Sequence, residues 1–179
     1  MRLCLLLLPT LFLLGSCGNI DLPTPAEQQA ARTELPSVFA PVALSRRNGQ
    51  SVIALRWAVK EPSFTETKWR WQEVEVTAEA NSAGTTGITI ARTVTLDPRA
   101  LSKTVPAAYS RDTWALELRC EDGPCITEEV TSIVTENGER SFSETERTTS
   151  RTHLWLFEEY QPRDEALILV RRAIGAAPR

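Results

Sequence analysis

The stretch Val130-Thr131-Ser132-Ile133-Val134-Thr135-Glu136-Asn137-Gly138-Glu139-Arg140-Ser141-Phe142 decides the fold class. Asn-Gly between two β-rich runs is the strongest short-range hairpin signal, because both residues accept the positive φ of a tight two-residue turn. A direct count across that turn sets Ile133 opposite Phe142 as a cross-strand pair. One strand is therefore predicted from Ile126 to about Val134, and the next starts near Glu139.

Outward from the hairpin the same two-residue period recurs. Trp114, Leu116, Leu118 and Cys120 share one face. Ile88, Ile90, Val94 and Leu96 point one way, with Thr89, Thr93 and Thr95 the other. Trp69 and Trp71 open a run that continues through Val74 and Val76, and the change from odd to even apolar positions predicts a bulge near Gln72 or Glu73. Ile53, Leu55, Trp57 and Val59 form the earliest run. On the other side, Leu154-Trp155-Leu156-Phe157 shows no polar alternation, so this last strand is expected to be buried on both faces or to lie under a helix. Only the end reads as helical. Pro162 starts it, Asp164 and Glu165 suit its positive end, and Arg171 and Arg172 suit its negative end. Ala166, Leu167, Val170, Ala173 and Ile174 recur at helical spacing, and Gly175 stops the helix.

Seven strands followed by one amphipathic helix is the order of a pleckstrin-homology-like (PH-like) barrel. Residues 69–176, with Trp114-Ala115-Leu116-Glu117-Leu118-Arg119-Cys120, then Cys125-Ile126, an aromatic strand and the helix, resemble bacterial PH-like modules. The resemblance implies a mainly β, seven-stranded barrel whose open end the C-terminal helix plugs. A lipocalin-like barrel or a two-sheet β-sandwich with an appended helix is the alternative.

The N-terminus carries an address. Arg2 is followed by an apolar stretch from Leu3 to Leu14 and then by small residues, the order of a secretory signal. About a dozen apolar residues fall short of the roughly 20 that span a bilayer. Leu14-Gly15-Ser16-Cys17 resembles the lipobox of bacterial lipoproteins. The resemblance implies a signal peptide over residues 1–16, cleavage before Cys17, and acylation of Cys17, with palmitate among the chains. Several chains anchor stably where one does not. Gly18, rather than the aspartate that retains such lipoproteins in the inner membrane, points to the periplasmic face of the outer membrane. Residues 17–50, with Pro23, Pro25, Pro36 and Pro41, read as a lipidated flexible tether. Within it Thr24-Pro25-Ala26-Glu27 is a capping-box pattern that predicts a short helix. A single domain is then expected over residues 51–176.

Of four cysteines, Cys4 falls in the discarded segment and Cys17 is taken by lipid. Cys120 and Cys125 remain, on either side of an Asp122-Gly123-Pro124 turn between strand-like runs. In an oxidising compartment a disulfide is the expected state. A redox dithiol favours two intervening residues, and a zinc site needs more ligands than the one histidine supplies.

Composition narrows function further. Losing 16 residues removes one arginine and moves the formal charge from −3 to −4. That lacks the basic footprint of a nucleic-acid binder. His153, the only histidine, lies beside an apolar run with no legible serine, cysteine or carboxylate partner, so it reads as structural or superficial. Glu128 and Glu129, neighbours on a strand, point to opposite faces and cannot share a substrate. Asp164 and Glu165 are explained by the helix start. No catalytic, cofactor-binding or metal-binding residue is assigned, and no cofactor is expected. The hydroxyl- and charge-rich run from Ser141 to Thr152 reads as a solvated hairpin; its alternative is an interaction edge for an envelope protein, with Arg147 and Arg151 offering hydrogen bonds. The resulting expectation is a membrane-anchored, non-enzymatic binding or structural module of the bacterial envelope. The alternative is a periplasmic hydrolase using dispersed carboxylates.

Overall fold

The computed structural model describes residues 22–110 and 113–176, with the backbone alone at residues 46 and 48. Residues 1–16, where a signal peptide is expected, and Cys17 and Gly18 lie outside the described residues. The chain is mainly β: β1 (Val42–Asn48), β2 (Ser51–Phe64), β3 (Trp69–Asn81), β4 (Gly84–Leu96), β5 (Leu101–Ser110), β6 (Thr113–Cys120), β7 (Ile126–Glu136), β8 (Glu139–Ser150) and β9 (Thr152–Phe157), with α1 (Pro25–Glu34) before them and α2 (Tyr160–Ala173) after. All ladders are antiparallel. They build a six-stranded sheet, β1-β2-β3-β4-β7-β8, and a three-stranded sheet, β5-β6-β9. Nine strands in two sheets stand where seven were expected, and among the described residues no ladder joins the sheets into a closed barrel.

The two added strands lie where alternation is weak. β5 contains Pro106 and has large apolar residues at only a few positions, and β1 sits in the stretch expected to be tether. That tether reading is corrected. Thr24 caps α1 through the Glu27 amide while the Glu27 carboxylate accepts from Thr24, so the capping box is real. Its helix and the segment after it, however, belong to the core: Ala31 of α1, then Leu35, Val38 and Val42, are buried. Arg32 Nη1 donates to the Ala173 carbonyl of α2 at 3.0 Å. The prolines punctuate the path of a packed chain instead of loosening it.

Aromatic rings hold the sheets together. Trp155 of β9 lies against Trp71 at 5.3 Å edge-on and against Trp69 at 6.4 Å, stacked. Phe39 and Phe64 close on the same ring. Trp155, Leu156 and Phe157 are buried, as the unbroken apolar run predicts, while Leu154 is exposed. The helix presents Ala166, Leu169, Val170 and Ala173, a face turned slightly from the expected one, since Leu169 is buried and Leu167 only partly.

Two register expectations are corrected. β3 runs without irregularity from Trp69 to Asn81, and the irregularity lies in its neighbour β2, between Lys60 and Ser63, where Glu61 takes φ 49°. The break in apolar parity has another cause: Glu73 stays on the Trp69/Trp71 face and is buried there, while Val74 and Val76 face the other way. At the hairpin, Asn137 and Gly138 form the two-residue turn with φ 51° and 88°. A bulge at Val134/Thr135 then inserts Ser141, whose hydroxyl donates to the Val134 carbonyl at 3.2 Å. Phe142 therefore pairs with Val134 and not with Ile133.

Cys120 and Cys125 are bonded, with sulfurs 1.96 Å apart and Cα atoms 5.9 Å apart. They close a corner instead of a hairpin, because β6 lies in the smaller sheet and β7 in the larger. The Cys120 amide also donates to the Arg151 carbonyl at 2.9 Å, tying a second crossing point to the first. So small a loop contributes about 2 kcal/mol through the unfolded chain. In a Cys4→Ser/Cys17→Ser chain, intact mass after thiol blocking should show no label without reductant and two labels with it, and adding Cys120→Ser/Cys125→Ser should lose that stability. Two labelled thiols in the unreduced protein would exclude the bridge.

Candidate functional site

Two features on the larger sheet carry chemistry. The first begins with pairing register. On the face bearing Trp69 and Trp71, adjacent strands bring Glu73 beside Arg92, Glu75 beside Trp57 and Ile90, and Glu128 beside Val94. β9 crosses this face and lowers His153 between two carboxylates. His153 Nε2 donates to Glu73 Oε1 at 2.7 Å and Nδ1 to Glu128 Oε1 at 2.8 Å. Trp71 Nε1 donates to Glu73 Oε1 at 2.8 Å, and Trp57 Nε1 reaches Glu73 Oε2 at 3.4 Å. Arg92 pairs with Glu75 at 3.0 Å.

Burial sets the electrostatics. The side chains of His153 and Glu73 are 6% and 2% exposed. Burial alone pushes the imidazole toward neutrality, but the Glu73 charge and hydrogen bonds to both carboxylates outweigh it, raising its pKa to about 9. For Glu73 burial also favours the neutral form. The His153 charge and hydrogen bond, the Trp71 donor and the Arg92 charge win, holding its carboxyl below the usual range. His153 is thus an imidazolium at neutral pH with both N–H groups spent.

A cleft of about 300 Å³ opens beside this cluster, lined by Glu73, Glu75, Arg92, Glu128 and His153 on its polar side and by Trp57, Tyr109, Leu154 and Leu156 on its apolar side. An imidazolium that already gives both protons to carboxylates has no lone pair with which to act as a base. Among the described residues no group of three or more His, Cys, Asp and Glu is arranged to hold a metal ion. The cluster's evident work is to fasten β9 of the smaller sheet to β3 and β7 of the larger.

The second feature is an edge. β8 pairs with β7 and, among the described residues, with nothing on its other side. Every side chain from Glu139 to Arg147 is exposed. Phe142, half exposed, continues an apolar row through Val134 to Ile88, which is also exposed. Arg147 stands opposite Glu129, and Arg151 is exposed in the bend between β8 and β9. The two arginines singled out from sequence therefore share one margin of the molecule.

The sequence reading placed the disulfide and this margin but missed the partners of His153. Glu73 and Glu128 are 80 and 25 residues away from it. The available clue was parity: Glu73 occupies an inward position after Trp69 and Trp71, which a bulge seemed to explain. No family model, curated protein or solved structure matches the chain.

Proposed function

We propose that this protein is a lipid-anchored module of the bacterial cell envelope that docks an extended segment of another protein along the β8 edge. The observation that carries the reading is β8 itself: 12 residues, paired on one side and exposed along most of its length. Alternate residues of such a strand turn their N–H and C=O groups outward, and a partner strand satisfies them by adding to the sheet. Soluble proteins usually blunt edges with prolines, charged side chains or short strands. β8 is long and has no proline, and its charges select which strand it accepts.

Anchoring in this reading rests on Cys17, with Gly18 favouring the outer membrane. A Cys17→Ser variant should leave the membrane fraction and lose the mobility shift of acylation; a variant that stays membrane-bound with unchanged mobility would remove the anchor. The scaffold is a PH-like arrangement in which the order of strands and a C-terminal helix support the likeness, with the two-sheet sandwich as its alternative.

The docking reading is tested by crosslinked pull-down of the lipidated protein from its native envelope. An Arg147→Glu/Arg151→Glu variant sets a carboxylate opposite Glu129, which loosens the β7–β8 pair, and makes the margin more acidic, so the amount of partner captured should change. An unchanged capture of every partner would remove the edge from consideration. A hydrolase is the second reading, favoured by the convergence of Glu73, Glu75 and Glu128 on one cleft. It stands second because each of the three already spends an oxygen on His153 or Arg92. Turnover of generic esters or glycosides by the purified protein, lost in Glu128→Gln, would reverse that order.

A further inference from the structure

We infer that the occupant of the β8 edge is a basic extended segment of a different protein, not a second copy of this chain; the inference rests on the docking reading above. The argument is one of register and charge. β8 presents Phe142, Glu144, Glu146 and Thr148 on the face shared with Glu73, because these pair with Val134, Ser132, Val130 and Glu128 of β7. Glu144 and Glu146 are therefore two exposed carboxylates two residues apart, and their direct cross-strand neighbours, Ser132 and Val130, carry no charge. On the opposite face Arg147 already faces Glu129. The charge left without a cross-strand counterpart in the middle of the edge is negative.

That arrangement disfavours self-pairing. Two copies of β8 laid antiparallel put residues of equal parity opposite one another. Centring the pair on Glu144, Thr145 or Glu146 sets Glu144 against itself, Glu144 against Glu146, or Glu146 against itself. A parallel in-register pair stacks each glutamate on its own copy. Like charges directly opposite destabilise a strand pair, so the glutamates close the edge to identical chains while leaving its backbone groups open. A strand with lysine or arginine at two alternate positions turns both repulsions into attractions. An apolar residue two places further on meets Phe142 and extends the Ile88–Val134–Phe142 row. The ligand class is thus an extended protein segment of the pattern basic-x-basic-x-apolar, read in either direction. With a formal charge of −3 on the whole chain, long-range attraction favours the same partner.

Two measurements test this together. Fluorescence anisotropy on the full-length protein compares a labelled peptide of alternating lysines with one apolar residue, its glutamate twin, and a shuffled peptide whose lysines fall on both faces. The lysine peptide should bind about tenfold tighter than its twin, the effect of two opposite-charge cross-strand pairs. The preference should invert in Glu144→Lys/Glu146→Lys, which sits on an exposed strand and should retain the wild-type melting temperature. Equal binding of the twins, or none, overturns the charge assignment. A photo-crosslinker at Ser143 in the native envelope separates this from the underlying reading. A partner captured there but indifferent to Glu144→Lys/Glu146→Lys overturns only the basic-segment inference, whereas no partner captured overturns the docking reading as well.

Discussion

His153→Ala is expected to cost about 3–5 kcal/mol of stability, because it removes the cation and leaves the Glu73 carboxylate buried without its main counter-charge. The two indole donors remain, yet two neutral N–H groups cannot replace the cation beside a carboxylate that is only 2% exposed. The loss should not reflect packing alone. Glu73→Gln/His153→Leu, which deletes both charges, should recover more than half of the deficit, since a neutral pair needs no compensation. Urea unfolding of wild type and the two variants measures both effects. A double variant no more stable than His153→Ala would mean that shape, not charge, is what the site requires.

The same cluster dictates a pH profile with a definite sign. The imidazole of His153 moves from 6.5 to about 9 on folding. Its contribution is therefore complete below pH 6.5, declines as pH rises between these values, and is gone above pH 9. Glu73 is shifted down from 4.5, so its contribution is complete above that pH and is lost as pH falls through the lower folded value. Wild-type stability should be greatest at about pH 4.5–6.5 where these groups dominate. Between pH 6.5 and 9 it should fall by about 3 kcal/mol, while the His153→Ala protein shows no such slope. Because the chain has a single histidine, its ring signals in NMR report this titration without ambiguity. An imidazole titrating near 6.5 would end the charged-clasp account.

Deleting α2, by ending the chain after Phe157, is expected to abolish cooperative folding. Leu169 and Val170 each bury apolar area in amounts that stabilise by roughly 1.5–3 kcal/mol. Their removal also uncovers α1, whose Ala31 is buried and whose Arg32 bonds to the last turn of α2, and Leu35 just after it. The combined loss rivals the roughly 5–15 kcal/mol that a domain has in total. Val170→Asp should reproduce much of it in the full-length chain. Near-UV dichroism and tryptophan emission, reporting five tryptophans, should show loss of the packed core. A truncated protein melting at the wild-type temperature would detach the helix from the core.

What the sequence determined by itself was local. Alternation of apolar residues at 53–59, 88–96 and 114–120 is a property of a strand with one face covered, so it is readable wherever a strand has such a face. Asn137-Gly138 fixed the hairpin because the turn needs positive φ, and Thr24-Pro25-Ala26-Glu27 fixed a helix start because its donors are satisfied within four residues. Cys120 and Cys125 were close enough in the chain to be paired by inspection. Three matters were left to tertiary structure, each because it depends on residues far apart in sequence. Residues 25–48 read as a loose leader until α2, at the other end of the chain, supplied a surface for α1 and for Leu35 and Val38 after it. The single residue inserted at Ser141 moved Phe142 from Ile133 to Val134, a shift no hairpin motif announces. And Glu73, which looked like a fault in the pattern of β3, became the centre of a charge cluster only when β9 brought His153 across the larger sheet. A lone histidine among apolar neighbours offers no sign of its counter-ions when they come from other strands; the physical reason for its position lies in the crossing of two sheets.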